Sequence, residues 1–352
     1  MKKLFCIAAL VAVMGLWAGC GSGGTHVLYA VSKTTNQVTG YTISGSTLTQ
    51  IATPVTTGAS SVPVAAVAHP NGNFLYVADS GSNEVSVFAI DGSGALTANP
   101  ANADAGSQPS ALAIQPNGDF LYVADAPLAG SSTLTVYSVD SSSGSLTPIT
   151  GSPFPLQFKP AAIVQDPVLT VLFAAAQETF SIPTLSTGAP EQYAGYSGTT
   201  TPSAIAIDSA SRFLYVADSS SAVILGYTIA SDGSLAELSP PFAAGGLKPV
   251  SLAIDPSGTY LFVANQGSNS VYGFIIAQGT GALTAIAGSP FPVGSAPSSL
   301  AFDNKSGNLY VANSGGNSIS GFSMNSTTGV LTSLGAATAT GATPVWLTVL
   351  DK

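Results

Sequence analysis

Charge is scarce in this chain. Only 7% of its 352 residues are charged, with eight Lys and Arg, seventeen Asp and Glu, and a net charge of −9. Phosphate recognition needs clustered Lys and Arg, so a nucleic-acid partner is excluded. Imidazole is scarcer still, since His26 and His69 are the only histidines. No Gly-flanked serine elbow, no histidine pair at metal-ligand spacing and no phosphate-binding glycine loop occurs. Neither a cofactor nor a metal is expected. What abounds is apolar and turn-forming: 45% hydrophobic residues, 38 Gly and 23 Pro. That is too apolar for a disordered chain. Length alone suggests two domains, although closed all-β architectures often exceed that prior.

Lys2 and Lys3 precede an apolar run from Leu4 to Gly19, which ends at Cys20 and Gly21-Ser22-Gly23-Gly24. The run is short for a membrane-spanning helix and ends abruptly in polar residues. Leu16-Trp17-Ala18-Gly19-Cys20 resembles a bacterial lipoprotein signal, in which the cysteine is lipidated and becomes the first mature residue. Trp17 stands where that pattern usually has Leu. An ordinary secretory signal or an uncleaved anchor are the alternatives. Residues 1–19 are thus expected to be a signal peptide, 20–26 a tether, and Cys20 the lipidation site of an exported cell-envelope protein. Cys6 would be removed, leaving Cys20 alone and no intramolecular disulfide. Loss of Lys2 and Lys3 would leave six bases against seventeen acids, a mature net charge of −11. The lipid would then hold on a membrane an acidic domain that the surface does not itself attract.

A repeat fills the rest. Leu28-Tyr29-Ala30-Val31 returns at Tyr76, Tyr122, Phe173, Tyr215, Phe262 and Tyr310, with separations of 47, 46, 51, 42, 47 and 48 residues. Such a period belongs to solenoids and propellers. Most copies follow a Pro and a short apolar run, as at Pro63, Pro109, Pro160, Pro202, Pro249 and Pro297, with a further copy at Pro344. Consecutive apolar residues imply a strand buried on both faces. Turns such as His69-Pro70-Asn71-Gly72 and Asp255-Pro256-Ser257-Gly258 join the two elements. A second aromatic falls twelve residues after the first at Tyr41, Phe88, Tyr227, Phe274 and Phe322. Tyr137 comes three residues later, after an insertion around Ala126-Pro127-Leu128. Leu185 stands at that spacing in the fourth copy, whose residues 177–198 are irregular and carry Glu178, Glu191, Tyr193 and Tyr196. That irregularity reads as drift in preference to a recognition edge.

Four short strands in about 47 residues describe a propeller blade. The expected fold is all-β, a single seven-bladed propeller over residues 27–352. The first copy starts at its second strand, so Pro344–Leu350 is expected to supply the missing inner strand and close the ring.

Sites in propellers gather where loops surround the channel mouth. Three residues after each first aromatic come Ser32, Asp79, Asp125, Ala176, Asp218, Asn265 and Asn313. Asp79, Asp125, Asp218, Asn265 and Asn313 are the candidate ligand-binding residues, able to hold a cation or a polyol. The preferred alternative is that they hold backbone N–H groups of the adjoining turns. His69 reads as a hairpin residue, equivalent to Gln115, Asp208, Asp255 and Asp303. Lys33, Lys159 and Lys248 are dispersed, and Arg212 and Lys305 read as solvated hairpin residues.

The strings Leu75-Tyr76-Val77-Ala78-Asp79-Ser80-Gly81-Ser82-Asn83 and Leu309-Tyr310-Val311-Ala312-Asn313 resemble the seven-bladed lactonase family, which includes 6-phosphogluconolactonases. They are also similar to YVTN-type propeller repeats of bacterial surface proteins. The resemblance covers about residues 27–352. That family typically carries a Pro-His-x-His run and an Ala-Asp-x-Gly-x-Asp-Arg strand end; here stand Val62-Pro63-Val64 and Asn83-Glu84. Catalytic residues are therefore not assigned. A lactonase needs a base or activated water and a stabiliser of the oxyanion. The departures favour a module that binds a protein, glycan or small polar ligand on one ring face, with lactone hydrolysis as the alternative. A monomer is expected.

Overall fold

The Leu-aromatic-Val-Ala segments form strands with nearly every side chain buried, because a sheet packs against each of their faces. In the computed structural model, which describes residues 26–351, seven antiparallel sheets of four or five strands follow one another around a ring. The expected signal segment, Cys20 and most of the expected tether lie outside the described residues. Inner strands Pro63–Ala68, Pro109–Ile114, Ala162–Gln165, Pro202–Ile207, Pro249–Ile254, Pro297–Asp303 and Pro344–Asp351 stand side by side about the axis. The last of these pairs antiparallel with His26–Ser32, from His26↔Asp351 through Val31↔Trp346. Tail and head therefore share blade 1, as the uneven ends of the repeat require.

Serine joins the inner strands laterally. Ser110, Ser203 and Ser298 Oγ donate to the carbonyls of Pro160, Pro249 and Pro344 in the next blade, at 3.0, 2.8 and 2.9 Å. Ser251 and Ser299 Oγ accept the N–H groups of Leu300 and Leu347, at 3.0 and 3.1 Å. The first aromatics work further out. Tyr29, Tyr76 and Tyr215 are buried, and their hydroxyls donate to the carbonyls of Gly94, Gly144 and Gly281 in the following blade at 2.9, 3.2 and 2.7 Å. A side chain at Gly144 has no room: φ is +74°, and a Cβ would stand 2.4 Å from the Phe74 ring. These tyrosines are inter-blade packing with a polar tether at the tip.

The fourth blade departs from the others in a defined way. Elsewhere Leu of the second strand faces the second aromatic, as in Leu75↔Phe88, and in blade 3 the insertion makes the pair Leu121↔Tyr137. In blade 4 the partner of Leu172 is Ile182, because the hairpin between Ala175 and Thr179 is three residues shorter than usual. Counting twelve from Phe173 to Leu185 therefore overshoots the true position. Leu185 instead lies beyond the strand and is 45% exposed.

Candidate functional site

The loops that lead into the inner strands and those that leave the second strands share one ring face, here called the upper face. In six blades the inner-strand proline sits opposite the residue three after the first aromatic: Pro63↔Asp79, Pro109↔Asp125, Pro202↔Asp218, Pro249↔Asn265, Pro297↔Asn313 and Pro344↔Ser32. Each pair marks a register shift. The bulge turns these side chains beneath the incoming loop instead of toward the axis. All six are buried.

Their hydrogen bonds run to that loop and to the neighbouring hairpin. Asp125 Oδ2 accepts from Ser107 N at 3.1 Å and Thr133 Oγ1 at 2.8 Å, and its Oδ1 accepts from Thr133 N. Asp218 accepts from Thr200 N, Thr201 Oγ1, Ser220 N and Ser221 N at 3.1, 2.8, 2.8 and 2.9 Å. Burial works against its charge, but those donors outweigh it and hold the carboxyl well below the usual carboxylate range. Asn265 Nδ2 donates to Ala244 O at 3.1 Å, and Asn313 Nδ2 to Ser320 Oγ at 2.9 Å. Asp79 differs. Ser86 Oγ donates to its Oδ2 at 2.6 Å, but Thr57 and Ser61 bond chiefly to one another and no donor squarely meets Oδ1. Burial dominates there and pushes the carboxyl up to about 6. None of the five candidate residues lines either of the two cavities described below. Among the described residues, no three of His, Cys, Asp and Glu gather as a metal-binding group.

A second row of contacts fixes the same loops. Val62, Gln108 and Ala296, each just before its proline, have φ near +50°: 52°, 55° and 50°. Their N–H groups donate to the side-chain oxygens of Asn36, Asn83 and Asn269 in the preceding blade, at 3.1, 2.8 and 2.7 Å. The turn asparagines are thus clamps on the next blade's upper loop, a role consistent with Asx side chains that satisfy backbone donors.

The axial channel is a cavity of about 400 Å³ walled by the inner strands. Its wall is alanine, valine, leucine and isoleucine, broken by Gln165, Thr348, the half-exposed Trp346 and the serines. The serine hydroxyls are already engaged between blades.

A larger cavity, about 630 Å³, opens on the upper face between blades 3 and 4. Blade 4 has Ala176 where the other blades have Ser, Asp or Asn, and Pro160 lies outside its inner strand. No polar latch draws the loop 157–161 down. Aromatic packing holds it in place: Phe158 stacks on Phe180 with centroids 3.7 Å apart and planes 9° from parallel. Tyr193 meets both edge-on, at 5.2 and 5.5 Å, and its hydroxyl accepts from Gln157 N at 3.2 Å. Lys159 Nζ donates to Pro127 O at 2.8 Å, so the blade 3 insertion forms one bank. Gln157, Lys159, Gln177 and Glu178 are exposed on the walls beside Phe158 and Phe180. Sequence reading noted the irregular blade but not this groove. Its available signal was the joint loss of the Asx at Ala176 and gain of an aromatic at Phe158, where the other loops carry Ser61, Ser107, Thr200, Leu247, Ser295 and Ala342.

Both histidines and the arginine lie at the opposite ring face. His69 is buried in its hairpin, where Nδ1 accepts from Asn71 N at 3.1 Å and burial lowers its pKa. His26 Nδ1 stands 3.4 Å from Asp303 Oδ2. Arg212, expected to be solvated, is held: Nε donates to Asp208 Oδ2 at 2.8 Å and Nη1 to Gln278 Oε1 at 2.7 Å.

Comparison with known proteins assigns the family. A sequence profile described as Lactonase, 7-bladed beta-propeller matches residues 22–158 and 168–296, well over half of the chain. The chain belongs to the seven-bladed β-propeller lactonase family. Among solved structures, the periplasmic gluconolactonase PpgL of Pseudomonas aeruginosa shares 18% identity over 93% of this chain and 99% of its own, with a TM-score of 0.78. A candidate 6-phosphogluconolactonase of Bacteroides fragilis shares 18% over 94% and 99%, with a TM-score of 0.76. A protein of Lactobacillus plantarum shares 17% over 93% and 99%, with a TM-score of 0.72. At these identities the likeness is one of fold. Among curated proteins, no sequence matches significantly.

Proposed function

We propose that this lactonase-family propeller is an exported envelope protein, anchored through a lipid on Cys20, that binds a small polar ligand on its upper face and is not an efficient hydrolase. One observation carries the reading. The chain's single arginine and both histidines lie at the ring face opposite the groove, and among the described residues the groove's only charged wall residues are Lys159 and Glu178. Efficient opening of a lactone needs a base within hydrogen-bond reach of water and preorganised donors at the developing oxyanion. An open, solvated groove with one lysine and one carboxylate suits recognition better.

Hydrolysis is the second reading, favoured by the family and by the names of two structural neighbours. It would place water on Glu178 and the oxyanion beside Lys159. Glucono-δ-lactone in a pH-stat separates the two. The binding reading expects acid release indistinguishable from buffer, whereas a kcat/KM above about 10⁴ M⁻¹s⁻¹, lost in Glu178→Gln, would establish the enzyme. Lipidation is tested by labelled palmitate in an expressing bacterium. Label should enter the wild-type chain and be absent from Cys20→Ala; equal labelling of both would refute the anchor.

A further inference from the structure

We infer that the groove between blades 3 and 4 is a binding site for acidic sugars, a pyranose ring bearing a carboxylate; this rests on the binding reading above and names its site. The groove exists because three local changes coincide. Ala176 replaces the latch residue, the blade 4 hairpin is three residues short, and the blade 3 hairpin is three residues long. All three border the cavity or its banks, where this pair of blades departs from the repeat.

The wall chemistry selects the ligand. Phe158, half-buried and held rigid by its stack on the buried Phe180 and by Tyr193 edge-on, offers an apolar surface that suits the C–H face of a sugar ring. Lys159 uses one ammonium donor on Pro127 O, which fixes the head at the rim and leaves two donors for an anion. Glu178 is a pure acceptor for hydroxyls, and Gln157 and Gln177 supply both donors and acceptors. A neutral sugar offers the ammonium no anionic partner. A hydrophobic peptide leaves four polar side chains unmatched. A volume near 630 Å³ lies within the range of small-molecule sites.

The test titrates full-length mature protein with D-glucuronate and with methyl glucoside, followed by isothermal titration calorimetry and ligand-observed NMR. Glucuronate is expected to bind more tightly than methyl glucoside. Lys159→Gln should weaken glucuronate about tenfold and remove the preference for the acid. Glu178→Gln should weaken both sugars. Lys248→Gln, the equivalent loop lysine of blade 6, should leave binding as it was. Absence of binding at about ten times the weakest millimolar affinity, or glucuronate binding untouched by Lys159→Gln and Glu178→Gln, would overturn the assignment. Failure here leaves the lactone assay unaffected, and rapid lactone hydrolysis would overturn the binding reading even if glucuronate occupies the groove.

Discussion

Deletion of residues 343–352 is expected to abolish the folded state at room temperature. The segment supplies the whole inner strand of blade 1, paired along His26–Ser32. Leu347 and Leu350 are 3% and 6% exposed, and each contributes about 1.5–3 kcal/mol by leaving water. Deletion also removes the acceptor of Ser298 and the N–H group held by Ser299. Beyond these losses it opens both flanks of a ring that otherwise has no free inner edge. Domains are stable by only about 5–15 kcal/mol, so the sum is comparable with the total. Circular-dichroism melting is the measurement. The truncated chain should show no cooperative transition, and melting within about 3 °C of the full-length protein would refute closure. Leu347→Ala keeps the ring closed and should cost about 2–5 kcal/mol, the range for a buried leucine.

Asp79→Asn should change how stability depends on pH. Folded Asp79 holds its proton up to about pH 6, against an unfolded value of 3.8. Between those values the folded state binds more protons, so this group's contribution falls as pH rises through the window and is constant above it. The loss amounts to about 3 kcal/mol. Asp218 acts in the opposite sense: its carboxyl is held low, so its contribution is present at neutral pH and lost only in acid. The difference between wild type and Asp79→Asn isolates the one group. Urea unfolding at pH 4 and pH 7 should show the wild type losing about 2 kcal/mol more than the variant over that interval, because at pH 4 the unfolded carboxyl is already more than half ionised. Parallel profiles for the two proteins would show that the carboxylate is better satisfied than its surroundings indicate.

Much of the fold was legible because one pattern is written seven times. A single Leu-Tyr-Val-Ala run is ambiguous, but seven copies near 47 residues apart exclude other architectures, and their unequal ends imply the closing strand. The upper face was legible only in part. The positions of Asp79, Asp125, Asp218, Asn265 and Asn313 could be read from the repeat, but their direction could not. A bulge opposite each proline decides whether a carboxylate faces the axis or the loop, and a bulge depends on the partner strand. Blade 4 misled for a related reason. Fixed spacing pointed to Leu185, while a hairpin three residues short moved the true partner to Ile182.

Composition and period by themselves determined an all-β ring of repeated units with few groups able to break bonds, since burial patterns and turn chemistry are local and survive translation from copy to copy. The tertiary structure alone decided where a groove opens. The groove is made by the difference between two adjacent blades, an insertion beside a deletion with a missing latch between them. The aromatic cluster at its wall brings together Phe158, Phe180 and, behind them, Tyr193, and no periodicity relates those residues. Repetition carries information about what is shared, whereas a site arises where neighbouring copies fail to match, and that mismatch acquires a shape only when the blades are packed side by side.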